Sequence, residues 1–207
     1  MSKRLVIAGA GGFGRGVRGW VQGSPTFLRS WEISEVVYID DQEPARDPGA
    51  RIVSAITDYR PDDDDLVLCA VAAPEIRREI CRALSARGAK FATFVDDRAV
   101  LCTGVRVGEG SIVCPGSVLG ADAEVMSHVH INFNCSIGHD TRLGAFSTLS
   151  PSVNIMGEVE VGESSFFGGS SVVLPRLRVG ESAVIGASAC VVRDVSVGAV
   201  VRGVPAI

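Results

Sequence analysis

The chain has 207 residues, of which 46% are hydrophobic and 21% charged, and its formal net charge is −4. This length suits one large domain or two small ones. The slightly acidic balance and the absence of a long Lys/Arg cluster argue against nucleic acid as a partner. The sequence has neither a signal peptide nor an apolar run that could span a membrane, so we expect a cytoplasmic protein without a membrane partner.

The first 94 residues alternate apolar runs with helical segments. Such alternation predicts a small parallel α/β sheet. The predicted elements are a strand over Arg4–Ala8, a helix ending near Gln22, strands over Val36–Ile39 and Leu66–Ala72, a helix from Pro74 to about Arg87 and a strand over Phe91–Phe94.

A glycine motif follows the first strand. The spacing of Gly9, Gly11 and Gly14 before a helix is that of a dinucleotide fingerprint, whose backbone amides face a phosphate. Asp40 ends the next strand and could accept a ribose hydroxyl or a base edge. Because so short a segment is only half of a dinucleotide fold, a nucleotide diphosphate without nicotinamide fits better. A tight turn that needs glycine only for packing is the alternative.

From Val95 to Val197 every sixth residue is large and apolar, eighteen times in succession. A period of six fits neither an amphipathic helix nor an alternating strand, and it is typical of a parallel β-helix of hexapeptides. Three hexapeptides form one coil, so residues 18 apart stack on adjacent coils. We expect small residues near the corners and glycines where a Cβ would disfavour the backbone conformation. One predicted internal column is Val95, Val113, Ile131, Leu149, Phe167 and Ile185.

His139 and its neighbours form the predicted catalytic group. Asp140 adjoins His139, and the coil repeat places Gly157 over the histidine. A neutral imidazole removes a proton from an amine or hydroxyl, a carboxylate raises its basicity, and a backbone amide stabilises an oxyanion. This combination indicates acyl transfer, although local sequence alone leaves open that His139 is an exposed turn residue.

No metal site is predicted. His128 and His130 lie close in sequence but have no convincing third ligand within one coil. The six cysteines have no Cys-x-x-Cys spacing and lie among apolar neighbours, which favours buried thiols over disulfides or metal ligands.

Motifs in both parts of the chain resemble the bacterial sugar O/N-acyltransferase family of sialic acid O-acetyltransferases and nucleotide 4-aminosugar N-acetyltransferases. These motifs are IAGAGGFG (7–14), YIDD (38–41), INFNCSIGHD (131–140), FSTLSP (146–151), MGEVEVGE (156–163) and GVPA (203–206). The resemblance implies a Rossmann-like α/β domain over residues 1–94 that binds the nucleotide sugar. It also implies a left-handed parallel β-helix over residues 95–207 that binds acetyl-CoA and carries the catalytic residues.

The resemblance further implies roles for individual residues. His139 resembles the family's general base, Asp140 the acid beside it, and Gly157 the glycine whose amide faces the thioester. Phe13 and Thr148 stand where the family usually has histidines. The other implied residues bind the nucleotide sugar (Gly11, Gly12, Phe13, Asp40, Asp41, Ala73, Asn132) or acetyl-CoA (Thr148, Gly157, and Gly169 and Ala187 one and two coils beyond).

The function implied by this resemblance is acetyl transfer from acetyl-CoA to the amino group of a nucleotide-linked 4-amino-4,6-dideoxy sugar, in glycan or lipopolysaccharide biosynthesis. No cysteine accompanies the predicted base, so direct transfer in a ternary complex is expected. A homotrimer with active sites between neighbouring copies is also expected. The alternatives are O-acetylation of sialic acid or another sugar, and a catalytically idle hexapeptide scaffold.

Overall fold

The computed structural model describes residues 3–42 and 51–207. The chain divides into two compact units, Met1–Asp97 and Arg98–Ile207. No helix in the described ranges has the length and apolarity needed to cross a membrane. The residues predicted to be catalytic all fall in the second unit.

The first unit contains a parallel sheet with three helices among its described residues. Its elements are β1 (Lys3–Ala8), α1 (Gly12–Gln22), α2 (Pro25–Ser30), β2 (Ile33–Ile39), β3 (Ile52–Ser54), β4 (Asp65–Cys69), α3 (Pro74–Ser85), β5 (Lys90–Phe91) and β6 (Phe94–Val95). The strand order of the sheet is β3-β2-β1-β4-β5. Strand β1 is central and its residues from Leu5 onward are fully buried, as expected of a continuous apolar run.

The predicted Rossmann-like α/β domain is wrong. A Rossmann domain repeats strands and helices so that helices cover both faces of the sheet. Here residues 55–64, between β3 and β4, form turns and irregular chain instead of a helix, and the described residues contain only the three helices named above. The glycine motif and the strand pattern led to this error, because they identify a strand–turn–helix unit but not the connections that follow it.

The second unit is a parallel β-solenoid of two-residue strands, which confirms the β-helix. Sheet 1 contains β7 (Val100–Leu101), β10 (Val118–Leu119), β13 (Ser136–Ile137), β16 (Asn154–Ile155), β19 (Val172–Val173) and β22 (Cys190–Val191). Sheet 2 contains β8 (Arg106–Val107), β11 (Glu124–Val125), β14 (Arg142–Leu143), β17 (Glu160–Val161) and β20 (Arg178–Val179). Sheet 3 contains β9 (Ile112–Val113), β12 (His130–Ile131), β15 (Thr148–Leu149), β18 (Phe166–Phe167), β21 (Val184–Ile185) and β23 (Val200–Val201). The left hand of the coil remains a prediction.

The strand register confirms the 18-residue coil. Ile131 lies opposite Val113 on one side and Leu149 on the other, and Phe167 and Ile185 continue the same column. All five side chains are fully buried. The second residue of each strand therefore points inward, and the first points outward or toward a covering segment.

Buried hydroxyl groups join successive coils. Thr141 Oγ1 donates to the Met156 carbonyl at 2.8 Å and accepts the Val159 amide at 3.3 Å. Ser117 makes the equivalent pair of bonds to Asn132 and Cys135. The small residues near the corners therefore do more than fill space, since several of them satisfy backbone groups of the next coil.

The glycines that follow the inward residues serve close packing, which corrects the predicted reason for them. Gly144 does not have a positive φ, but a Cβ there would lie 2.5 Å from the Gly162 carbonyl carbon and 2.6 Å from the Glu163 nitrogen. The left-handed corner positions are occupied by glycines in the first coils, as at Gly104 and Gly110, which agrees with the expectation, and by other residues further along, such as Asp140 at φ 56°.

The hexapeptide repeat ends before Val197, contrary to prediction. Val197 is 72% exposed, whereas Val195 is buried and bridges Val179. The last coil is thus two residues short, and in it the Asp194 carboxylate accepts the Arg178 amide at 2.8 Å.

Candidate active site

The corner between sheets 1 and 2 carries the predicted catalytic pair. Strand β13 ends at Ile137, Gly138 packs against the next coil, and His139 and Asp140 form the turn before β14. His139 Nδ1 lies 2.7 Å from Asp140 Oδ2, and both side chains are 60% exposed. When Nδ1 carries the proton and donates a hydrogen bond to Asp140, Nε2 keeps its lone pair for a substrate.

Gly157 lies at the same corner in the next coil, which confirms its predicted stacking over His139. A Cβ on Gly157 would lie 2.6 Å from His139 Nε2, so only glycine leaves this side of the ring open. The Glu158 amide donates to the His139 carbonyl at 2.9 Å and holds the two coils in register. In the part of the chain that the structure describes, the Gly157 N–H has no acceptor. This free amide beside an imidazole nitrogen has the composition of an oxyanion site.

An acidic column lies at this corner. Asp122, Asp140 and Glu158 occupy equivalent left-handed positions, with φ values of 58°, 56° and 59°. Arg176 takes the same position one coil further, at φ 63°. The carboxylates place negative charge along the edge where an imidazolium would form during proton transfer.

A groove runs along the outer face of sheet 1 beside Gly157. Its lining includes Gly138, Met156, Gly157, Val172 and Pro175. Ser136 and Asn154 also face this groove, and the sequence reasoning missed them. A comparison of outward residues at steps of 18 would have found them, because they interrupt a column that otherwise holds Val100, Val118 and Val172.

The other predicted acetyl-CoA residues do not lie on the Gly157 column. Gly169 and Ala187 stack on one another, but at the corner between sheets 3 and 1. Thr148 is in strand β15 of sheet 3 and is only 4% exposed. A step of 18 from Gly157 leads to Pro175, so the expected placement of Gly169 and Ala187 beyond Gly157 was wrong.

Asn132, predicted to lie near the sugar amino group, is also at the corner between sheets 3 and 1. Its Oδ1 accepts the Phe133 amide at 2.9 Å, which stabilises its own turn. Within one chain, sheet 1 separates this corner from that of His139.

The glycine motif of the first unit contains two kinds of glycine. Gly9 has φ +100°, a backbone conformation that favours glycine, and a Cβ on Gly14 would clash with the Gly9 carbonyl. The fold of the loop therefore requires both glycines. A Cβ added to Gly11 would meet no heavy atom within 4 Å beyond its own stretch of chain, and one added to Gly12 would meet only the Arg15 guanidinium, at 3.9 Å. Packing therefore explains part of the motif and leaves two exposed glycines at the start of α1.

The remaining predicted nucleotide-sugar residues have definite places in the first unit. Asp40 accepts the Ala10 amide at 2.6 Å and the Gln42 amide at 2.9 Å, and so fixes the glycine loop. Asp41 accepts the Thr57 amide at 3.3 Å. Phe13 packs edge-on against Trp20 with ring centroids 6.3 Å apart. Ala73 is the residue before α3. Their ligand remains a prediction.

Metal-ligating residues are not clustered in residues 3–42 and 51–207, where no group of three or more His, Cys, Asp or Glu could hold an ion. All six cysteines are free thiols. Cys69, Cys81, Cys114 and Cys135 are buried, Cys190 is half-buried and Cys102 is exposed.

Comparison with known proteins supports a common fold and chemistry. No family model matches the chain. A segment of 99 residues is 25% identical to GDP-perosamine N-acetyltransferase of Escherichia coli O157:H7, and it spans 48% of this chain and 45% of that protein. The acetyltransferase domain of PglB from Neisseria gonorrhoeae FA1090, solved with acetyl coenzyme A, matches with a TM-score of 0.90 at 26% identity over 100% of this chain and 99% of the other. PerB from Caulobacter crescentus, solved with CoA and GDP-perosamine, matches with a TM-score of 0.85 at 28% identity over 98% and 95% of the two chains.

The fold and the His139 corner define a hexapeptide-repeat β-solenoid with the residues of an acyl-transfer site. In structure the chain matches acetyltransferases over nearly its whole length, and about half of it is similar in sequence to a sugar N-acetyltransferase, which confirms the resemblance drawn from its motifs.

Proposed function

We propose that this protein transfers an acetyl group from acetyl-CoA to the amino group of a nucleotide-linked 4-amino-4,6-dideoxy sugar. The observation that carries the proposal is the corner where His139, paired with Asp140, faces the unpaired amide of Gly157. The similar proteins support the substrate class, since PerB was solved with CoA and GDP-perosamine.

His139 is the general base in this reaction. The substrate amine attacks the thioester carbonyl carbon, a C–N bond forms, and the carbonyl electrons move to oxygen. The Gly157 N–H donates to this oxyanion, while His139 Nε2 takes a proton from the attacking nitrogen. The imidazolium is stabilised by Asp140, 2.7 Å from Nδ1. Collapse of the intermediate breaks the C–S bond, and CoA leaves as a thiolate that the imidazolium can protonate.

The two substrates bind different parts of the chain in this proposal. The exposed Gly11 and Gly12 at the start of α1 receive the diphosphate of the nucleotide sugar, with Phe13, Asp40, Asp41 and Ala73 nearby in sequence or fold. Acetyl-CoA binds the solenoid through the groove beside Gly157. We further infer a cytoplasmic homotrimer, in which Asn132, Thr148, Gly169 and Ala187 of one copy complete the site of a neighbour.

The proposal is tested by assaying the purified protein with acetyl-CoA and UDP-, GDP- or dTDP-linked 4-amino-4,6-dideoxy sugars. CoA release is followed with a thiol reagent and the acetylated product by mass spectrometry. His139→Asn should lower the rate ~10²–10⁴-fold, because general-base assistance contributes about that much. Its thermal shift with acetyl-CoA should equal that of the wild type. Transfer by His139→Asn at the wild-type rate would identify a different base.

A further inference from the structure

The outer face of sheet 1 is apolar except next to the His139 corner. Its outward column reads Val100, Val118, Ser136, Asn154, Val172 and Cys190. Ser136 is in the coil of His139, and Asn154 is in the coil of Gly157. The polar interruption therefore coincides with the two coils that form the candidate site.

Ser136 and Asn154 hold one another in a defined geometry. Ser136 Oγ donates to Asn154 Oδ1 at 2.8 Å, and Asn154 Nδ2 donates to the Ser152 carbonyl at 3.0 Å. These bonds distinguish the two ends of the carboxamide and restrict its rotation. One N–H of Nδ2 and one lone pair of Oδ1 stay available for a ligand.

The groove around this pair suits a thin, mostly apolar chain. Val118 and Val172 lie on either side of the pair along the column, and Met156 and Pro175 lie toward the Gly157 corner. A carboxamide in such surroundings recognises a group with one donor and one acceptor. A secondary amide has these two groups.

We propose that Asn154, oriented by Ser136, binds the first amide of the pantetheine arm of acetyl-CoA and so positions the thioester at Gly157. The inference rests on the proposed function. In acetyl-CoA a short ethylene link joins the thioester sulfur to this amide, and Asn154 precedes Gly157 by three residues in the same coil. Asn154 is a positioning residue, because it holds the donor without contacting the reacting carbon.

Truncated donors test the inference. Acetyl-N-acetylcysteamine thioester retains the amide, whereas ethyl thioacetate lacks it. The wild type should use the amide-containing donor with a kcat/KM ~10-fold higher than that of ethyl thioacetate, because about one well-made hydrogen bond contributes a factor of this size. Asn154→Leu should abolish this preference and raise the KM for acetyl-CoA, with the KM for the sugar unchanged. Ser136→Ala should weaken the preference, and Ser136→Thr, which keeps the hydroxyl, should retain it.

Glu124→Gln is the matched control, because Glu124 occupies the same outward strand position on sheet 2. It should keep the wild-type preference. If Asn154→Leu lowers the melting temperature, Asn154→Ser replaces it, since serine is tolerated one coil earlier at position 136. If the Asn154 variant keeps the preference, or loses rate equally with both donors, the inference is overturned. The proposed function fails in a different way, if the wild type acetylates no amino sugar from acetyl-CoA.

Discussion

Gly157 and Gly144 lack a side chain for different physical reasons. A Cβ on Gly157 would meet the ring of His139, an exposed side chain that can move. A Cβ on Gly144 would meet the backbone of Gly162 and Glu163, which cannot move without opening the coil. The first glycine therefore serves the site, and the second serves the packing of the solenoid.

Gly157→Leu should nearly abolish turnover while the protein stays folded. The leucine fills the space over the His139 ring, and a displaced donor costs ~10²-fold or more in kcat/KM. Gly144→Leu should instead destabilise the solenoid by about 1–3 kcal/mol through overpacking, and Gly144→Ala by less. Kinetics and melting temperatures of the variants check this. An inactive but stable Gly144→Leu beside an active Gly157→Leu would contradict the assigned corner.

Thr141 links the coil of His139 to the coil of Gly157. Its hydroxyl bonds Met156 and Val159, the residues on either side of the Gly157 turn. Thr141→Val keeps the shape but leaves a buried carbonyl and a buried amide unpaired, so it should cost about 1–3 kcal/mol of unfolding free energy. We also expect a lower kcat, because the Gly157 amide is no longer held in place by the bonds from Thr141 to the residues on either side of its turn. Thr141→Ser keeps the hydroxyl and should behave as the wild type in denaturation and kinetics. Equal stability of Thr141→Val and the wild type would rule out this role.

Periodic features could be predicted from the sequence, and long-range ones could not. The inward column and the stacking of Gly157 on His139 follow from a coil of constant length, so each residue predicts its neighbour. Val197 does not follow the pattern because the last coil is two residues shorter, so that Val195 bridges Val179 in its place. Helix α2 was missed because it is short and its N-cap residue, Ser24, uses its hydroxyl to bond Asp97, from the far end of the unit, and not the helix backbone.

At the scale of elements, some glycines of the loop between β1 and α1 serve packing, and others are proposed to contact a ligand. Gly11→Val should raise the KM for the nucleotide sugar ~10-fold or more and leave acetyl-CoA binding unchanged, because a side chain would cover the amides that face the diphosphate. Gly14→Ala is the packing control and should lower stability, since its Cβ meets the Gly9 carbonyl. Steady-state kinetics with each substrate varied separately measures the effect. If folded Gly11→Val has an unchanged KM for the nucleotide sugar, the loop is only a packing turn.

Strands β1 and β4 are joined by a charged cluster. Arg4 makes two hydrogen bonds of 2.8 Å to the buried Asp65 carboxylate, and Tyr59 donates a further one. Burial alone would raise the pKa of Asp65, but the bonds from Arg4, Tyr59 and the Asp62 amide outweigh it and lower the pKa. A lowered pKa means that the folded state favours the ionised carboxylate.

Asp65→Asn should therefore destabilise the first unit by about 2 kcal/mol near neutral pH. The stabilisation from the Asp65 carboxylate is complete above its pKa in the unfolded chain, about 3.9, and is lost as the pH falls through its lower pKa in the folded protein. The difference in unfolding free energy between wild type and variant should therefore shrink below about pH 4. Trp20 and Trp31 are the protein's tryptophans and both lie in this unit, so fluorescence in urea reports its unfolding. Asp64→Asn, an exposed neighbour, should have little effect. A difference that grows with acidification would contradict the assignment.

At the scale of the whole molecule, the faces of the solenoid differ in polarity. The outward residues of sheet 2 alternate in charge along the register, as Arg106, Glu124, Arg142, Glu160 and Arg178. Exposed ion pairs add little stability, so this ladder mainly keeps sheet 2 in solvent. Sheet 1 instead exposes Val100 by 55% and Val118 by 42%. This contrast supports the proposed homotrimer, with sheet 1 facing a neighbouring copy.

Subunit mixing tests whether the active site is shared between copies. One chain places His139 and Asn132 at corners on opposite sides of sheet 1, so a site that uses both must take them from different subunits. His139→Asn and Asn132→Ala should each be inactive alone. Co-expressed in equal amounts with separate affinity tags, they should form a population of trimers that recovers about a quarter of the wild-type activity, and the isolated mixed trimers should recover about a third. These fractions follow because about three quarters of the trimers are mixed and each contains one intact site in three. The mixed species are isolated by sequential affinity steps, and their mass is measured by ultracentrifugation. Mixed trimers without activity would place the whole site in one chain, and an active Asn132→Ala would remove Asn132 from it.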